Sequence, residues 1–124
     1  MPSNAVTPAV NIPNPDQLIV ERDKVVDYLL NPKHPFGASK ARFFADFGFH
    51  AADWETLAGE LRQHGQTHLV ARSTQTQFGP RFVVERNISA PDGRRPCITT
   101  VWQLDEGQIA PRLITAYPLE ADYD

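Results

Sequence analysis

A chain of 124 residues, 41% hydrophobic and 22% charged, has the length for one domain with one ordinary core, and it is too short for two. One cysteine, Cys97, excludes an intrachain disulfide framework, and the His64 and His68 pair is interrupted by Gly65, read as a helix stop, so neither disulfides nor a metal are expected to hold the fold. The formal charge of −3 excludes a uniformly basic protein; with no run of about 18 apolar residues and no basic-then-apolar leader, a cytoplasmic protein without a membrane span or cofactor is expected.

The charge is unevenly placed. Residues 66–118 carry +2 and every basic side chain there is arginine, residues 1–65 carry −2, and the last six residues carry −3. Arginine's planar fork suits phosphate better than lysine's point charge, while a solvated face of mixed charge would look the same in sequence.

Six of the 11 prolines fall in the first 35 residues. Residues 1–17 read as a flexible Pro-rich arm, with Val6, Val10 and Ile12 able to lie against the body, and residues 18–124 as a single domain. Val25, Tyr28 and Leu29 recur at helical spacing and predict a helix over about 22–30, ended by Asn31-Pro32. A loop from Pro32 to Lys40 then leads into a second helix, for which Ser39 is the N-cap, Phe43, Phe44 and Phe47 the buried stripe and Gly48 the stop. Trp54, Leu57, Ala58 and Leu61 predict a third helix over about 51–64, closed by Gly65. From Thr67 the period changes to two, and strands are predicted over 67–76, 81–89, 97–104 and 111–118, with turns at Pro91-Asp92-Gly93-Arg94 and Asp105-Glu106-Gly107-Gln108.

The last strand, fenced by Pro111 and Pro118, reads as the central one, with Arg112, Ile114 and Ala116 on one face and Leu113, Thr115 and Tyr117 on the other. Helices first and strands afterwards give an α+β domain: N-terminal helices on one face of a four-stranded antiparallel sheet whose other face is open. Phe82, Val84, Ile98 and Trp102 are expected to pack against the helices that bear Phe44 and Trp54.

Lys40 sits in a first helical turn, where the macrodipole disfavours a cation by roughly 0.3–1 kcal/mol, and it lies along the phenylalanine stripe. Beside free backbone N–H groups, and with His34 upstream, it makes an anion site; the plainer reading is a lysine stem snorkelling over the phenylalanines. A ribonuclease that uses the RNA's own 2′-hydroxyl needs only proton-transfer groups and cations or hydroxyls on the phosphate, and His34, Lys40, Thr115 and sheet arginines supply such a set without metal.

The segment Lys24-x3-Tyr28-Leu29-Leu30-Asn31-Pro32, followed by His34-Pro35, Ser39-Lys40-Ala41-Arg42-Phe43-Phe44, Gly48-Phe49, Thr100-Val101-Trp102 and the terminal strand, resembles an uncharacterised family of small bacterial proteins, over about residues 18–118. Its order of helices and meander, and the final Ile-Thr-Ala-Tyr-Pro, look like the barnase–EndoU–colicin–RelE (BECR) superfamily of metal-independent ribonucleases, many of them toxins paired with a neutralising protein. Thr115 and Tyr117 match the terminal Thr-x-Tyr/Phe element of EndoU-like members. The resemblance implies a toxin of a toxin–antitoxin or polymorphic-toxin system that cleaves RNA. Catalysis falls to His34, Lys40, Thr115 and Tyr117, and substrate binding to Arg112, Arg94 and Arg95; an antitoxin or immunity protein would be the partner. The alternative is a non-catalytic module whose open sheet face docks a protein encoded nearby.

Overall fold

The structure, a computed structural model, describes residues 10–119. A single helical turn, α1 (Arg22–Lys24), runs straight into a π-helical turn, Val25–Leu29, closed by the Leu30 N–H donating to the Val25 carbonyl at 2.8 Å. Helix α2 spans Ala38–Asp46, and α3 spans Trp54–Thr67 after a 3-10 turn, Ala51–Asp53. Strands β1 (Arg72–Thr76), β2 (Gly79–Asn87), β3 (Cys97–Gln103) and β4 (Arg112–Pro118) form one sheet in the order β1-β2-β3-β4, antiparallel throughout. The domain is therefore α+β, with its helices against one face of the sheet. No helix among the described residues is long and apolar enough to cross a membrane.

Between helices and sheet lies one core, in which Val25, Leu29, Phe44, Phe49, Leu57 and Leu61 meet Val84, Ile98, Trp102, Leu113 and Ala116; Phe82 and Trp54 pack at its margin. Trp102 is wholly buried and its indole N–H donates to Thr100 Oγ1 at 2.9 Å, so it is a core residue. Edge-on contacts carry the apolar stripe of α2 into this core, from Phe43 to Phe44 at 5.1 Å and on to Phe49 at 5.9 Å.

Several sequence expectations shift. β4 is an edge strand, because in a meander each strand pairs with its predecessor and the last takes the free side. Among the described residues, backbone pairing on its outer side is confined to its start, where the Ile19 N–H donates to Pro111 O at 2.8 Å and the Leu113 N–H to Ile19 O at 2.9 Å. The simple alternation along β4 also fails. Trp102 stands opposite Leu113 and Val101 opposite Thr115, so the register slips by one residue at Ile114; Leu113 and Ala116 face the helices, while Arg112, Thr115 and Tyr117 belong with Gln103, Val101 and Thr99 on the other face.

Ser39 lies inside α2 and Gly37 takes the cap position, with no side-chain cap bond. Gly65 does not end α3: it is buried in its last turn, where a Cβ would lie 2.7 Å from the Trp102 ring and 2.8 Å from Leu18. Glycine there lets helix and sheet approach, and α3 runs on to Thr67, which delays β1 to Arg72. Residues 1–9 of the expected arm lie outside the described residues. Residues 10–17 rest on the body: Ile12 is 1% exposed and the Asn14 side-chain amide donates to Ile109 O at 2.8 Å.

Candidate functional site

The π turn and the loop behind it build a groove against the outer side of β4. Tyr28, in the π turn, sends its hydroxyl to Thr115 Oγ1 at 2.9 Å, joining the first helix to the last strand. The loop is pinned from within. Asn31 Oδ1 accepts the Lys33 N–H at 2.9 Å, and Gly37 sits so close to Tyr28 that a Cβ would fall 2.5 Å from the Tyr28 carbonyl oxygen.

His34 stands in this loop edge-on to the Tyr28 ring, with centroids 4.9 Å apart. Its Nδ1 accepts the Phe36 and Gly37 N–H groups, both at 3.0 Å, which places the ring proton on Nε2. Nε2 has no hydrogen-bond partner among the described residues. The Lys24 and Lys40 ammonium groups both lie over the Tyr28 ring, at 5.2 and 5.5 Å, and Lys40 also reaches the Phe36 carbonyl at 3.4 Å. The resulting groove has a volume of about 650 Å³ and is lined by Tyr28, His34, Phe36, Thr115, Ile114 and Lys24, together with the carboxylates of Glu21, Asp23 and Asp27.

Of the residues singled out in sequence, His34, Thr115 and Lys40 thus come together around Tyr28. The others do not join them. Arg112 donates to Asp105 from Nε at 2.7 Å and Nη2 at 3.4 Å; this pairing holds the Asp105 carboxyl below its usual range and raises the guanidinium. Arg94 donates to Asp92 at 2.7 Å, ion-pairs with Asp46 and stacks 4.1 Å over the Phe47 ring. Asp92 is lowered by the bond from Arg94. Arg95 is exposed beside a separate polar pocket of about 110 Å³ that includes His64, His68 and Asn87. Tyr117 pairs across to Thr99 near the far end of β4.

Tyr28 and Lys24 line this groove and were not among the site candidates read from sequence. Tyr28 was absorbed into an apolar stripe with Val25 and Leu29; the signal it carried was its phenol hydroxyl, which a half-buried stripe position must leave at the surface or satisfy. Among the described residues no three His, Cys, Asp or Glu side chains gather as a metal site.

Residues 11–120 match the family described as a domain of unknown function, DUF6883. The chain belongs to that family. No curated protein matches it. Among solved structures, it is similar to a chain of a contact-dependent growth inhibition toxin–immunity protein complex from Klebsiella pneumoniae 342, at 15% identity and a TM-score of 0.65, covering 81% of this chain and 98% of that one. At that identity the likeness is one of fold.

This DUF6883 chain holds a second histidine cluster, closed where the first is open. His64, 1% exposed, has Nδ1 at 2.8 Å from Thr100 Oγ1, and its Nε2 accepts the Arg86 N–H at 3.1 Å and lies 2.9 Å from Arg86 O. Burial pushes the imidazole down to about 4, and the backbone bond with Arg86 opposes part of that shift.

Proposed function

We propose that this domain is a toxin-like, metal-independent endoribonuclease of the BECR kind, working in the groove between the π turn and β4. The observation that carries the reading is the Tyr28–Thr115 hydroxyl pair, 2.9 Å apart, with the His34 ring edge-on to Tyr28 and the Lys24 and Lys40 ammonium groups over it. Support comes from the fold shared with a chain of a toxin–immunity complex.

The RNA 2′-oxygen attacks the adjacent phosphorus as its proton passes to a carboxylate of the groove wall. The bond from phosphorus to the 5′-oxygen breaks, that oxygen takes a proton from the Lys40 ammonium, and a 2′,3′-cyclic phosphate remains. Because His34 Nδ1 is occupied by two backbone N–H groups, the imidazole acts through its Nε2–H as a hydrogen-bond donor to a phosphoryl oxygen, whereas sequence reasoning had it transferring a proton. Lys24 and Lys40 offset the added negative charge, and Tyr28 and Thr115 orient the ribose. Arg112, Arg94, Arg95 and Tyr117 bind flanking nucleotides or serve the fold.

The test is cleavage of an unstructured RNA by the purified domain, with a chelator present, analysed for the terminal phosphate. Cleavage that leaves a 2′,3′-cyclic end, and falls 100-fold or more in Tyr28→Phe and Lys40→Ala with unchanged melting temperatures, is the expected result. Cleavage lost in chelator, or wild-type rates in both variants, overturns it. Glu21, Asp23 and Asp27 on the groove wall favour a second reading, in which the groove seats a basic segment of a neutralising protein and no RNA is cut.

A further inference from the structure

Phe36 stands 77% exposed on the lip of the groove, the most exposed of the large apolar side chains in the described chain. It does not dangle from a loose loop. Its own N–H is tied to His34 Nδ1, the Lys40 ammonium reaches its carbonyl, and the next residue, Gly37, is buried against Tyr28. The backbone is thus held from both sides, while the ring, 6.1 Å from the His34 ring at a tilt of 58°, is left facing water.

A rigidly presented aromatic face beside two ammonium groups, an Nε2–H donor and a hydroxyl pair has the chemistry of a single-stranded nucleic acid site: the cations take the backbone and the ring takes a base. We infer that Phe36 is a stacking platform for an unpaired nucleobase next to the scissile phosphate, so that the groove takes single-stranded RNA and not duplex. This rests on the ribonuclease reading of the same groove. In a duplex the bases are stacked on one another and have no free face to offer Phe36. Proximity to His34 sets the register, since a base on Phe36 leaves its own ribose and phosphate near the imidazole and the Tyr28–Thr115 pair.

The experiment measures binding apart from cleavage. A fluorescein-labelled 2′-fluoro RNA 8-mer, which lacks the attacking hydroxyl, is titrated against the wild-type domain, Phe36→Ala and Phe36→Trp at fixed salt, alone and annealed to its complement. Stacking predicts about tenfold weaker single-strand binding by Phe36→Ala, and recovery with quenching of the new indole in Phe36→Trp. It also predicts no change with the duplex. Because Phe36 is so exposed, both variants should melt with the wild type, which circular dichroism checks. Equal single-strand binding by wild type and Phe36→Ala overturns the inference, as does an equal loss with the duplex. No binding by the wild type overturns it too and leaves Phe36 to a protein partner. Phe36-dependent binding with no cleavage of ordinary RNA would retire the ribonuclease reading alone.

Discussion

His34 and His64 each lie near an aromatic ring and a strand threonine, yet one cluster is finished and the other is not. Around His64, Thr100 Oγ1 accepts the Trp102 indole N–H and meets the imidazole Nδ1, and Nε2 faces the Arg86 backbone N–H and carbonyl, so in either tautomer both ring nitrogens have a partner. Around His34, the backbone takes Nδ1 and no described residue takes Nε2, while the neighbouring hydroxyls of Tyr28 and Thr115, among the described residues, bond only each other at the edge of a groove. The same residue types serve two ends. A polar network closed inside a core specifies the fold, and one left with a spare donor at the surface is available to a ligand.

The comparison can be broken at its closed end first. Trp102→Ala removes the largest wholly buried side chain and its hydrogen bond to Thr100, so urea unfolding should show a loss of about 3–5 kcal/mol. A loss below about 1 kcal/mol would mean that the cluster is not core.

Acid is the next lever. His64 has a folded pKa of about 4 against about 6.5 unfolded, so the unfolded chain takes up a proton first as pH falls. Its contribution is complete above pH 6.5 and is lost between there and pH 4, amounting to about 3 kcal/mol. The denaturation midpoint should therefore fall across that window in the wild type and much less in His64→Asn. Identical pH profiles for the two proteins would sink the assignment.

The two threonines give a smaller and sharper contrast. Thr100→Val leaves both the Trp102 N–H and His64 short of a partner and should cost about 1–3 kcal/mol. Thr115→Val should cost under about 1 kcal/mol, because its single bond to Tyr28 is only part-buried, and under the proposed ribonuclease function it should slow RNA cleavage at least tenfold. A reversed pattern would exchange the roles of the two clusters. The smallest effect is expected at Thr99, whose buried Oγ1 has no hydrogen-bond partner among the described residues. Thr99→Val should raise stability by up to about 1 kcal/mol in a thermal melt, and a clear loss would reveal a partner for that hydroxyl.

Much of the fold was legible because periodicity reports burial. The stripe of Leu57, Ala58 and Leu61 in α3 follows from helical spacing, the core side of Phe82, Val84, Ile98 and Trp102 from alternation, and the turns at Gly93 and Gly107, where φ is +92° and +83°, from their turn residues. What periodicity cannot report is a change of period. The slip at Ile114 moved Leu113 to the helix side and sent Thr115 toward the groove, and the π turn at Val25–Leu29 accompanies the placing of Tyr28 beside them. Gly65 misled because a glycine needed for close packing and one needed for a stop are the same letter. In the candidate groove, the loop and helix positions of His34 and Lys40 already placed them near one another in sequence. The pairing of Arg112 with Asp105 and of Arg94 with Asp46 was not legible there, since it depends on which strands and turns meet.

The slip at Ile114 gives β4 one residue more than its partner needs, and that surplus is slack in chain length. Deleting Ile114 leaves Leu113 opposite Trp102 and Thr115 opposite Val101, so no other side chain changes face. Deleting Ala116 instead would bring Thr115 or Tyr117 opposite Thr100, beneath the helices. A one-residue gap in a related sequence therefore belongs at position 114. There the chain can shorten at the groove wall while the core keeps its register.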